Sequence, residues 1–130
     1  MIVVDASALV EVLLRTPAAG SVEQRLFEPG QSLHAPHLLD VEIAQVLRRY
    51  AASGEIGAGR GRAALADLTD LSLRRYPHDL LLPRVWELRN NLTAYDAVYV
   101  ALAEALDATL ITRDRRLAAA AGHRARVALV

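Results

Sequence analysis

Four acidic residues occupy places in this sequence where a carboxylate is hard to explain as surface charge. Asp5 directly follows the β-branched run Ile2-Val3-Val4, and Asp114 lies two residues beyond the run Thr109-Leu-Ile-Thr112. Asp96 opens a segment, Ala97 to Ala103, that is apolar on every side. A carboxylate on such a helix is costly to bury unless it is paired or metal-bound. Glu42 falls three residues after Leu39 and four before Val46, at the border of a helical apolar stripe rather than on the opposite face. Carboxylate oxygens are hard ligands suited to Mg²⁺ or Mn²⁺. Gathered together they repel one another, and a divalent cation relieves that repulsion. The chemistry natural to such a set is in-line phosphoryl transfer, in which metal activates water and neutralises charge growing on phosphate.

Each acid alone has a plainer reading. Asp5 and Asp114 could cap the helices that follow them. Asp96 suits a helix N-terminus electrostatically, and Glu42 could be a solvated edge residue. Their order and context together are the specific signal.

The elements that must position these acids follow from patterning. Ile2-Val3-Val4 reads as a strand buried on both faces. Ser7 is placed to cap a helix to about Leu14, and Thr16-Pro17 to start another that runs to Phe27. Leu33 to Ala35 is a second short strand, broken by Pro36. A helix is expected from His37 to Ser53, with Leu39, Ile43, Val46, Leu47 and Tyr50 as its apolar stripe. Gly57 to Gly61 reads as a flexible segment before a helix to about Leu71. Then come a strand at Leu73–Tyr76, helices at Leu80–Asn90 and Thr93–Leu106, a strand at Thr109–Thr112, a short helix at Arg115–Ala121 and a strand at Arg126–Val130. Alternating strands and helices predict an α/β fold, a parallel sheet with helices on both faces. The ends of its strands would bring Asp5 and Asp114 to one edge, where such sheets bind ligands.

Composition narrows the chemistry. The 130 residues suggest a single domain, 1–130, and 53% hydrophobic content supplies a core. No cysteine is present, which removes disulfides, thiolate metal sites and thiol nucleophiles. All 15 basic residues are arginine, so the lysine of a P-loop or a Schiff base is missing. Zero net charge runs against a nucleic-acid binder, which usually shows a basic excess; acids concentrated in one metal site would leave the remaining surface more basic. The first residues show no basic, cleavable leader, and no apolar run reaches the roughly 18 residues of a membrane span. A soluble, cytoplasmic protein without a membrane partner is expected.

The motifs around the four acids resemble those of PIN-domain nucleases, in particular the VapC-type toxins of bacterial toxin–antitoxin pairs. The matching stretches are Ile2-Val-Val-Asp5-Ala-Ser7-Ala-Leu-Val, Pro36-His-Leu-Leu-Asp-Val-Glu42-Ile-Ala-Gln-Val-Leu, Leu92-Thr-Ala-Tyr-Asp96-Ala-Val-Tyr-Val-Ala-Leu-Ala and Leu110-Ile-Thr112-Arg-Asp114-Arg-Arg-Leu. The resemblance spans essentially the whole chain. It implies a five-stranded parallel sheet flanked by helices, and Asp5, Glu42, Asp96 and Asp114 as catalytic, metal-binding acids. Ser7 and Thr112 stand where the family carries hydroxyls that support the site. The family commonly dimerises, cleaves RNA with Mg²⁺ or Mn²⁺, and is silenced by a cognate antitoxin. Asp107 departs from the small residue or glycine usual at that helix end and reads as a turn residue.

Other residues carry less. Arg113 and Arg115 flank Asp114 and are candidates for RNA phosphate contacts. Arg60 and Arg62 read as surface charge. His34 and His37 complete no zinc pattern, and Tyr95 and Tyr99 read as packing. A phosphatase using Asp5 as nucleophile would need an aspartate where Ser7 stands, and a lysine. The competing readings are a PIN nuclease for RNA maturation and a non-catalytic PIN-like interaction module; metal-dependent cleavage separates the latter from an enzyme.

Overall fold

A computed structural model describes residues 1–130. Strand β1 (Ile2–Val4) is buried along its whole length, as a β-branched run covered on both faces must be. Beside it lie β2 (Leu33–Pro36) and β4 (Thr109–Thr112), and the edges are β3 (Leu73–Tyr76) and β5 (Arg126–Leu129). All pairings are parallel, in the order β3-β2-β1-β4-β5. The helices are α1 (Ala6–Leu14), α2 (Ala19–Leu26), α3 (Leu38–Ala52), α4 (Ala58–Asp70), α5 (Leu82–Glu87), α6 (Ala94–Leu106) and α7 (Arg115–Ala119). Helices α1 to α4 pack on one another, and α5 packs on α6. Right-handed crossovers put the first group on one face of the sheet and α5 to α7 on the other. The strand order reverses between β1 and β4, and that switch point opens a crevice at the carboxyl ends of both strands.

Helix α6 is the central packing element. Seven consecutive residues, Ala97 to Ala103, are buried. No helix of the chain is long and apolar enough to cross a membrane.

The structure departs from the sequence expectations at several element ends. Ser7 does not cap α1: Asp5 holds the N-cap position, and its carbonyl accepts from Ala8 and Leu9 N–H at 3.1 Å. Thr16 does not open α2, because its hydroxyl turns back to Glu11 and Thr16 to Ala18 form a turn. Pro36 does not break β2; the ladder continues past it through His37 N–H to the Tyr76 carbonyl at 2.8 Å. The glycine-rich segment is the first turn of α4 rather than a flexible stretch. Each helical glycine costs about 1 kcal/mol against alanine. Burial of Ala64 and Leu68 offsets this, Ile56 packs against Gly61, and Arg60 donates to the Leu13 carbonyl at 2.6 Å. The helix expected over Leu80–Asn90 is divided: a 3₁₀ turn covers Asp79–Leu81, and α5 begins beside Pro83, whose missing N–H is harmless only in a first turn. Helix α7 stops at Ala119, and Gly122 takes a left-handed φ of 88°. Asp107 is the left-handed residue closing α6, with φ 50°.

Candidate active site

Asp5 ends β1 with extended backbone at the mouth of α1, yet its side chain makes no capping bond. Its Oδ2 instead accepts from the Ser7 hydroxyl at 2.6 Å and from the Thr112 hydroxyl at 2.7 Å. These hydroxyls in turn accept backbone N–H groups: Ser7 Oγ from Arg113 at 3.0 Å and Thr112 Oγ1 from Asp114 at 3.0 Å. A hydroxyl has one proton, and both protons point to Asp5. The 3.2 Å approach of Ser7 Oγ to Thr112 Oγ1 is therefore proximity rather than a further bond. The network stitches β1 to the end of β4 and leaves Asp5 Oδ1 without a hydrogen-bond partner.

Asp114 does cap its helix. Its Oδ1 accepts from Arg116 N–H at 2.8 Å and Leu117 N–H at 3.2 Å. Its other oxygen accepts nothing from the protein. The capping reading and a ligand role are thus compatible, one for each oxygen.

Asp96 sits in the first turn of α6, behind the N-cap Thr93, whose hydroxyl accepts its N–H at 3.2 Å. Burial pushes the Asp96 carboxyl above the usual carboxylate range, and the charges of Asp5 and Asp114 push it further. The Thr93 hydroxyl and Arg116 pull the other way. Glu42 lies on α3, and its Oε1 accepts from the Tyr99 hydroxyl of α6 at 2.5 Å. Burial raises its pKa, the Tyr99 bond opposes this, and Asp5 and Asp96 add to the rise. The carboxylates thus feel one another across the cavity.

Asp5, Glu42, Asp96 and Asp114 all line one cavity of about 510 Å³ at the switch point. The four expected acids therefore come from four separate stretches of chain to one place. Ser7 lines the cavity too, whereas Thr112 lies wholly buried behind Asp5. No three acidic or histidine side chains are already drawn into a ligand cage; the acids face a common space rather than a common point. The donor set is nevertheless all oxygen and strongly anionic, and the part of the rise that neighbouring carboxylates impose on Glu42 and Asp96 is what a divalent cation would relieve. The residues fit Mg²⁺ or Mn²⁺. A larger hollow of about 960 Å³ lies at the opposite edge of the sheet, by the starts of β2 and β3. It has no acid cluster and no place at a strand's carboxyl end.

The arginines divide. Arg113 is occupied within the protein: its Nη1 donates to the Val130 carbonyl at 3.2 Å and its Nε lies 3.6 Å from Glu11. Arg115 is exposed and unpaired, and neither lines the cavity. Arg49, which sequence reasoning missed, does. Its signal was available: Leu38, Glu42, Gln45 and Arg49 follow the four-three-four spacing of one helix face. Tyr99 was also missed as more than packing, and nothing local in its apolar segment distinguishes it. Tyr95 is exposed beside Asp96 rather than buried.

The PIN-domain family model matches residues 2–123. The chain belongs to the PIN-domain family. VapC ribonuclease Mb0985 of Mycobacterium bovis is 50% identical over 117 residues, covering 90% of this chain and 88% of the relative. Ribonuclease VapC1 of Mycobacterium tuberculosis is 48% identical over 129 residues, covering 98% and 96%. Among solved structures, VapC20 of M. tuberculosis, described as a sarcin-ricin loop cleaving toxin, superposes with a TM-score of 0.72 at 18% identity, over 95% of this chain and 97% of that one. PAE2754 of Pyrobaculum aerophilum superposes with a TM-score of 0.68 at 26% identity, over 97% and 81%. The PIN fold expected from the motifs, with its parallel sheet of five strands, is the fold this chain has.

Proposed function

We propose that this PIN-domain protein is a divalent-metal-dependent endoribonuclease and the toxin of a toxin–antitoxin pair. The observation that carries the reading is the convergence of Asp5, Glu42, Asp96 and Asp114 on one cavity at the switch point. The naming of relatives near 50% identity as VapC ribonucleases supports RNA as the substrate.

Asp5, Asp96 and Asp114 would hold the cation, with Glu42 completing the set directly or through water. Mg²⁺ or Mn²⁺ there supplies neutralisation of phosphate charge and activation of the attacking water. Ser7 and Thr112 fix the orientation of Asp5 by directing both hydroxyl protons at Oδ2. Tyr99 fixes Glu42 through Oε1, which leaves Oε2 to accept the proton of water. The water oxygen bonds to phosphorus, the bond from phosphorus to the 3′ oxygen breaks, and that oxygen takes a proton from solvent water and leaves as a hydroxyl. The products are 5′-phosphate and 3′-hydroxyl ends. Exposed Arg115 is available to a flanking phosphate.

Two protein partners belong to this reading: a cognate antitoxin and a second copy of the chain, with the cytoplasm as the working compartment. The heavily exposed Leu80 and Trp86 offer apolar surface for protein contact.

The test is cleavage of a mixed RNA pool with Mg²⁺, with Mn²⁺ and with EDTA, beside Asp5→Asn and Asp96→Asn. The expected result is metal-dependent cutting that both variants lose while keeping their fold. Absence of cutting by folded protein at every metal concentration would favour the non-catalytic module instead.

A further inference from the structure

The acidic cavity continues beyond its carboxylates. Leu38 and Tyr95, which line it, also line a second hollow of about 170 Å³ completed by apolar Leu82, Val85 and Val98 and by His78. Tyr95 stands between the two with 65% of its surface exposed, directly before Asp96. On the other side of Glu42 lies Arg49, the only cation lining the acidic cavity. Arg49 is exposed and its side chain has no acidic or carbonyl partner in the protein. Leu38, Glu42 and Arg49 share one face of α3, so the helix acts as a ruler. At 1.5 Å per residue, Leu38 lies about 6 Å to one side of Glu42 and Arg49 about 10 Å to the other.

We propose that the apolar hollow is a subsite for one unpaired nucleobase next to the scissile phosphate, stacked on Tyr95, and that Arg49 holds a phosphate on the opposite side of the cut. The inference rests on the nuclease reading and adds to it a base subsite, one that only an unpaired nucleotide beside the cut can fill. A phosphate held at the acids has its own sugar and base within reach of the shared wall formed by Leu38 and Tyr95. A base in a duplex is paired and stacked, and cannot enter a side slot. An unpaired base can be splayed out and laid on an aromatic ring. His78 adds a polar contact. Its Nε2 accepts the Leu38 N–H at 2.9 Å, so in the neutral ring Nδ1 carries the proton. That N–H has no partner in the protein and is free for an acceptor on a base edge.

The test uses short RNAs carrying 2-aminopurine at single positions, single-stranded or within a hairpin stem, bound to the non-cleaving Asp5→Asn protein with Mg²⁺. The expected result is quenching at one position adjacent to the cut, in single-stranded RNA only. Adding Tyr95→Ala should abolish it and raise Kd about ten- to a hundredfold, while Tyr95→Phe retains it. With Asp5 intact, Tyr95→Ala should raise KM with kcat little changed. Arg49→Ala should weaken all RNAs alike and lower the slope of log affinity against log salt by about one. If the wild type cleaves RNA with metal but Tyr95→Ala changes neither quenching nor KM, the subsite is wrong and the nuclease reading stands. If folded wild type never cleaves, both fall. If sedimentation shows a dimer that Leu82→Arg dissociates while RNA binding is unchanged, the hollow belongs to a second copy and the proposal is overturned.

Discussion

The Tyr99 hydroxyl of α6 donates to Glu42 Oε1 of α3 at 2.5 Å, joining helices that reach the active edge from opposite faces of the sheet. Tyr99 is fully buried, and its own pKa is driven upward, by burial first and then by the Glu42 charge. It is therefore a fixed donor and never a proton source at working pH.

Tyr99→Phe removes that donor and little else. We predict a stability loss of about 1.5–3 kcal/mol, the range for a hydrogen bond to a charged group, measured by urea unfolding. The Tyr99 bond holds the Glu42 pKa down against burial, so without it the pKa rises further. The acid limb of the cleavage profile should move to higher pH. An unmoved limb with lowered stability would leave Tyr99 a packing residue only.

Thr112→Val keeps shape but withdraws a donor from Asp5 Oδ2 and an acceptor from Asp114 N–H. Both groups lie at the edge of the core, with Thr112 itself fully buried. The expected cost is about 2 kcal/mol in unfolding free energy, with cleavage reduced at least tenfold. Ser7→Ala should show a smaller version of both, since its site is only partly buried. Wild-type cleavage in Thr112→Val would remove Asp5 positioning from the mechanism.

Metal-free stability should carry a sign set by the acids. Glu42 and Asp96 bind protons more tightly folded than unfolded. Their contribution is therefore full below the ordinary carboxylate pKa of about 4 and is lost as pH rises through the folded values. His34 works the other way. Burial lowers its pKa from 6.5, so its contribution is lost as pH falls through that value toward the folded one. Comparing wild type with Asp96→Asn cancels the histidine. The variant should be the more stable near neutrality in EDTA, with an advantage that vanishes toward pH 4. Mg²⁺ should stabilise the wild type by about 2.7 kcal/mol at a hundred times Kd, and the variant less. Parallel pH curves, or equal metal gains, would contradict the shared carboxylate field.

Far from the cavity, Glu104 has a side chain only 2% exposed and takes a two-pronged contact from Arg84, Nε at 2.8 Å and Nη2 at 3.1 Å. Arg84 holds the Glu104 carboxyl below its usual range. Arg84→Ala leaves this buried charge only the Arg124 N–H at 3.0 Å and the Arg124 guanidinium at 3.8 Å, and should cost about 2 kcal/mol. Cleavage per folded molecule should be unchanged. A loss of cleavage beyond the loss of folded protein would tie this pair to the site.

Much of this protein was legible in its sequence because short-range patterning is decisive where burial is extreme. Ile2-Val3-Val4 could only be a covered strand, and Ala97 to Ala103 only a covered helix. Carboxylates placed at the ends of such elements were conspicuous for their cost, which made Asp5, Glu42, Asp96 and Asp114 readable as a set. Tertiary structure decided what depends on partners distant in the chain. Gly59 and Gly61 lie in a helix because Ala64, Leu68 and Arg60 find contacts elsewhere. The hydroxyls of Ser7 and Thr16 cap nothing because they turn to Asp5 and Glu11, and the Ser7 oxygen accepts the distant Arg113 N–H instead of a helical one. Arg113 was claimed by Glu11 and Val130, leaving Arg49 at the cavity. The partner of Tyr99 is 57 residues away. A hydrogen bond across that separation leaves no periodicity to read, and only the fold, which brings α3 and α6 to one edge of the sheet from opposite faces, creates it.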